Sequence, residues 1–177
     1  VPFGTFVVKF IEPIVEIPST GNPHRLFKRS VPAEPIKEDI MQMNPYLNFD
    51  GTCEEALTFY AKVLGGEIVA MFKGKDTPMA DKMPPEGLDR VMHGRISVKG
   101  NLLMASDVPP QFKKDMQGFS VSITVEDPAE AEQVFGTLSE GAQSVQMPLQ
   151  ETFWAWKFGM FVDRYGTPWM INCEKPM

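Results

Sequence analysis

The stretch Tyr46-Leu47-Asn48-Phe49-Asp50-Gly51-Thr52-Cys53-Glu54-Glu55-Ala56-Leu57-Thr58-Phe59-Tyr60 changes its apolar period halfway along. Tyr46 to Phe49 reads as a short strand, and Asp50-Gly51-Thr52 as a turn. From Cys53 onward Ala56, Leu57, Tyr60, Val63 and Leu64 recur at helical spacing until Gly65-Gly66, which predicts a helix over 53–64. Thr52 and Glu55 have the spacing of a capping box. Beyond the helix come a strand at 67–72, a Pro/Met/Asp-rich loop at 74–89 and a strand at 91–98. A Gly100-Asn101 turn then leads into a strand at 102–106, a hairpin signal. The order is strand, helix, three strands.

That order starts again at Gly118. Phe119 to Val125 alternates as a half-buried strand should, and Asp127-Pro128 opens a helix with a cap and a first-turn proline. Helix 128–139 carries Ala131, Val134, Phe135 and Leu138 on one face and ends at Gly141. Strands follow near 142–147, 158–163 and 168–173. Two like units in tandem point to a duplication.

Working outward, the 177 residues suit one medium domain, and 43% hydrophobic with 23% charged residues is a globular balance. A net charge of −6 argues against nucleic-acid or acidic-membrane partners, which want a basic field. Two cysteines, Cys53 and Cys173, are too few for a disulfide framework or a cysteine-rich zinc site. There is no apolar run of membrane length and no signal-peptide pattern at Val1-Pro2-Phe3, so the expected location is cytoplasmic. Residues 1–40 hold Pro2, Pro13, Pro18, Pro23, Pro32 and Pro35, a density that denies helix and central strand. They are expected to form an extended arm, with residues 41–177 as the domain and its modules at 43–107 and 118–174.

Three sets of residues carry a family resemblance: Tyr46 to Gly51 with Glu55-Ala56 and Phe59-Tyr60; His93, Leu103-Met104 and Asp107; and Gln150 to Trp154, Phe158-Gly159 and Asp163 to Asn172. Together they resemble the PhnB-like branch of the vicinal-oxygen-chelate superfamily, the glyoxalase and bleomycin-resistance group. The resemblance implies an α+β fold, two βαβββ modules forming a curved sheet cup, here with an extended N-terminal arm. It also implies a homodimer, and in many members a divalent metal such as Ni, Mn, Zn or Fe inside the cup. Here the family's metal-ligand positions fall on Tyr46, near Gly118 to Ser120, and near Met170, none a good ligand for those metals. With only His24 and His93 in the chain, a metal-free cup is expected. Some proteins of this branch carry a ubiquinone-methyltransferase label. No strand–GxGxG–helix signature for an adenosyl cofactor supports it here, since Gly65-Gly66 follows a helix.

Alternation on strand 91–98 places His93 and Arg95 on the face opposite Gly94 and Ile96, toward the cup. His93 is a candidate acid–base residue or anion contact, or alternatively a hydrogen-bonded histidine at the sheet rim, and Glu151, the carboxylate of the Gln150–Trp156 block, is a candidate base or lone metal ligand. Arg95 fits a ligand carboxylate or phosphonate; it also fits a structural pair with Asp107 or Glu151. Trp154 and Trp156 supply an aromatic wall, which suits either a pocket or an interface. Tyr46, Asn48, Met104, Met170 and Asn172 complete the expected ligand-binding set. The expected function is capture of a small aromatic or anionic molecule. The alternatives are a metal-dependent lyase, isomerase or transferase of glyoxalase type, and an interaction protein working through the arm.

Overall fold

The protein is described by a computed structural model covering residues 41–176. The arm expected over 1–40 lies outside the described residues. The first module runs β1 (Tyr46–Phe49), α1 (Cys53–Leu64), β2 (Glu67–Lys73), then β3 (Val91–Val98) and β4 (Asn101–Asp107), with the one-turn helix α2 (Pro85–Leu88) in the loop before β3. The second runs β5 (Val121–Thr124), α3 (Pro128–Leu138), β6 (Ser144–Gln150), β7 (Ala155–Val162) and β8 (Pro168–Glu174). Each module makes its own mixed sheet, in the orders β1-β4-β3-β2 and β5-β8-β7-β6. In both, the first strand lies parallel to the last, because the helix carries the chain back before the antiparallel strands are laid down.

Two local expectations are corrected. The β3–β4 turn falls on Lys99-Gly100 rather than Gly100-Asn101: both have positive φ, 48° and 85°, and Val98 pairs with Asn101. Two such residues match the right-handed twist of the strands they join. Thr52 does not cap α1; its ψ of 7° is not the extended conformation a capping residue adopts. Asp107, from the end of β4, does so instead. Its Oδ1 accepts from the backbone N–H of Gly51 at 2.7 Å and of Cys53 at 3.1 Å. At the other helix the expected cap holds, with Asp127 accepting from the N–H of Ala129 at 2.9 Å.

One core serves both modules. Leu47, Phe49, Ile96, Leu103 and Ala105 come from the first sheet, Phe161, Trp169 and Ile171 from the second, and α1 and α3 supply Leu57, Tyr60, Val134 and Leu138. The helices touch each other, α1 also packing on β2, β3 and β4 and α3 on β7 and β8. Each sheet therefore turns its helix-bearing side into the shared core and leaves its other face free of helices among the described residues. The modules are also tied by a buried carboxylate in the β7–β8 turn. Asp163 accepts from the Tyr60 hydroxyl at 2.6 Å, Trp169 Nε1 at 2.9 Å, and the N–H groups of Tyr165 and Thr167, each at 2.9 Å. Gly166, at φ 89°, closes that turn as the sequence predicts.

Candidate functional site

The helix-free face of the first sheet carries five of the expected residues. Gly94 and Ile96 are buried beneath α1, so His93 and Arg95 stand on the opposite side of β3. Tyr46 and Asn48 alternate with buried Leu47 and Phe49 on β1. On β4, Met104 is the register partner of both Tyr46 and Arg95, so it lies between them. The Tyr46 hydroxyl is 3.1 Å from His93 Nδ1, and the rings stack with centroids 5.8 Å apart. Phe72 of β2 pairs with His93 and is half exposed; sequence reasoning missed it. A register shift between Ile68 and Ala70 obscures which side of β2 faces out, although its place at the end of an apolar run was a usable signal.

The structural pairing considered for Arg95 is not made. Asp107 alternates with exposed positions on β4 and lies on the buried side, where it accepts from Gly51, Cys53 and Val91. Glu151 is held by Lys175 at 2.5 Å. Arg95 Nε is buried with no hydrogen-bond partner among the described residues.

On the second sheet Trp169 and Ile171 are buried, leaving Met170 and Asn172 on the free face. Asn172 lies between Thr124 and Phe158 in the register, and Met170 between Ser122 and Met160. Trp154 packs against Phe158 with centroids 5.5 Å apart, extending this face. Trp156 sits at a register irregularity of β7 between Ala155 and Lys157, with Lys175 Nζ 4.9 Å from its ring centroid. Glu151 belongs to the same exposed corner. Lys175, by hydrogen bond and charge, holds the Glu151 carboxyl below its usual range, which weakens it as a proton acceptor. Asn172 Oδ1 is buried and, like Arg95 Nε, has no partner; these are the only two such side-chain atoms among the described residues.

Tyr46, Asn48, His93, Arg95 and Met104 thus come together on one sheet, and Trp154, Met170 and Asn172 on the other. No strand of one sheet pairs with a strand of the other among the described residues. A cavity of about 490 Å³ lies between the β5 edge, the β3–β4 hairpin and the helices, and takes in none of these eight side chains. A cavity of about 230 Å³ beside Tyr46 and Asn48 is walled by Phe112, Lys114 and Phe119 from the segment joining the modules. Among the described residues no three His, Cys, Asp or Glu side chains are grouped to hold a metal ion. The described residues also do not fit one: His93 is bonded to a phenol and stands two residues from the Arg95 guanidinium, which no carboxylate pairs among the described residues and whose charge opposes a dication. No helix among the described residues is long and apolar enough to cross a membrane.

The geometry has counterparts. A family profile described as 3-demethylubiquinone-9 3-methyltransferase matches residues 41–172. Protein YjdN of Escherichia coli (strain K12) is 31% identical over 143 residues, 76% of this chain and 97% of that one. Among solved structures, protein PA1353 from Pseudomonas aeruginosa is 46% identical, with a TM-score of 0.70 over 77% of this chain and 100% of that one. A Bacillus cereus PhnB protein, titled as a putative 3-demethylubiquinone-9 3-methyltransferase, is 27% identical with a TM-score of 0.63, over 75% of this chain and 99% of that one. The fosfomycin resistance protein FosX from Listeria monocytogenes, solved with Mn(II) and a phosphonic acid, shares the fold at a TM-score of 0.54 and 7% identity, over 77% of this chain and 94% of that one. With its two βαβββ modules, the chain belongs to the family described as 3-demethylubiquinone-9 3-methyltransferase, in the PhnB-like branch of the vicinal-oxygen-chelate superfamily.

Proposed function

We propose that the protein binds a small molecule without a resident metal, in a cup completed between two copies of the chain. The first sheet's free face in one copy meets the second sheet's free face in the other. The observation that carries this reading is the placement of the two unpartnered buried polar atoms, Arg95 Nε on the first free face and Asn172 Oδ1 on the second. Buried polar groups are ordinarily satisfied, so an atom left without a partner among the described residues at the centre of a candidate site is suited to a partner from beyond them, here a ligand. Trp154, Phe158, Met104 and Met170 add the apolar wall that small-molecule sites use. Methyl transfer is not part of this reading, because nothing in the chain has the form of a nucleotide-cofactor loop.

The test combines sedimentation equilibrium with a thermal-shift screen of aromatic and anionic compounds on the wild type, Trp154→Ala and Arg95→Met. The expected result is twice the chain mass, with hits that weaken about tenfold or more in both variants. A monomeric chain, or hits unaffected by either substitution, refutes the proposal. So does about one metal equivalent per chain that survives desalting and is lost in His93→Ala.

A further inference from the structure

The Tyr46–His93 hydrogen bond has a chemical direction. Neutral imidazole has one N–H and one lone pair, and which nitrogen holds the proton is set by the partner of the other. The Tyr46 hydroxyl has no other hydrogen-bond partner among the described residues, and neither does His93 Nε2. If Nδ1 were the donor, the phenolic proton would go unused in this pair. With Tyr46 donating, the stronger donor meets the stronger acceptor and the ring proton lies on Nε2.

We propose that Tyr46 fixes His93 as an Nε2–H donor, and that His93 and Arg95 together recognise an oxyanion on the ligand, a carboxylate or a phosphonate. This rests on the reading of the helix-free face as the ligand site. His93 and Arg95 are two residues apart on β3, about 7 Å along one face. Both then offer hydrogen atoms and neither offers a lone pair. Arg95 adds a charge that no carboxylate of the described residues neutralises. Around them Met104, Tyr46 and Phe72 are apolar or aromatic, and in the cup proposed between two copies this lining strengthens an ionic contact by excluding water. A neutral ligand would leave the guanidinium uncompensated; a cation would be repelled. Tyr46 is a positioning residue here: it acts on the ligand through the imidazole.

The experiment uses the full 177-residue chain labelled with ¹⁵N. Long-range ¹H–¹⁵N correlation reads the ring nitrogens, and His93→Gln tells His93 from His24. The expected pattern is protonated Nε2 and bare Nδ1, relaxing toward a mixture of tautomers in Tyr46→Phe. Protonated Nδ1, or no change on removing the Tyr46 hydroxyl, overturns the proposal. Benzoate, phenylphosphonate and benzamide are then titrated. The two anions should move the His93 ring and Arg95 Nε–H signals while benzamide does not, and Arg95→Met should weaken the anions about tenfold or more. If benzamide binds the same face as well as the anions, the oxyanion inference falls while the binding reading stands. If no compound moves a signal on either free face, the binding reading falls and takes this inference with it.

Discussion

Replacing Tyr60 with Phe removes one oxygen from the centre of the molecule and nothing else. The Tyr60 side chain is wholly buried, its hydroxyl donates to Asp163 at 2.6 Å, and Thr167 Oγ1 lies 2.9 Å away. The ring stays in contact with Trp169, whose centroid is 5.1 Å away, so Phe keeps the packing. What is lost is a hydrogen bond to a buried carboxylate that forms no salt bridge among the described residues, worth about 2 kcal/mol. For a domain of this size that is a fall in Tm of about 8 °C. Asp163→Asn should be worse, about 3 kcal/mol or more, since its NH₂ group would meet the N–H and O–H donors that now converge on the carboxylate. Burial, with the Asp163 charge next, also holds the Tyr60 phenol far above its ordinary value of 10.0. A folded pKa raised above the unfolded one stabilises fully below the unfolded value and fades as pH rises past it. The wild type should therefore lose stability more steeply than Tyr60→Phe above about pH 10. Urea unfolding at neutral pH and at pH 10 to 11 reads both effects. A Tyr60→Phe cost within 0.5 kcal/mol of zero, typical of a surface change, would refute the account of Asp163 as the tie between modules.

Two further outcomes follow from the packing. A Cβ at Gly94 would lie 2.5 Å from Leu57 Cδ1, so Gly94→Ala should destabilise by about 1–3 kcal/mol, seen as a lower urea midpoint at unchanged slope. Cys53 and Cys173 are both buried, and burial with the charges of Asp107 and Glu54 pushes the Cys53 thiol up to about 12, so a disulfide reagent at pH 8 should label neither until the chain is unfolded. Rapid labelling of the native protein would contradict the buried placement.

Much of the fold is legible because local physics repeats itself. The change from strand alternation to helical spacing at Asp50-Gly51, and again at Asp127-Pro128, marks both modules, and the structure places α1 and α3 within a residue of the expected bounds. Alternation also places His93 and Arg95 on a free face, because a strand's side chains have a fixed period of two, and the family resemblance adds which side of the last strand carries Met170 and Asn172. Irregularity hides the rest. Register shifts break that period in β2, where the outward side of Phe72 is not legible, and in β7, where one falls at Trp156. Asp107 was considered as a partner for Arg95, yet it caps a helix more than 50 residues earlier, which no local pattern reveals.

By itself the sequence determined the two βαβββ modules and which face of regular strands such as β3 is polar, since both depend on residues only a few positions apart. Only the tertiary structure decided that the sheets share one core through their helices and that, among the described residues, no strand of one sheet pairs with a strand of the other. It also decided that Arg95 meets no carboxylate among the described residues while Glu151 goes to Lys175. Those outcomes depend on which groups distant in sequence the packed sheets and helices bring within hydrogen-bond reach, and no local pattern carries that information.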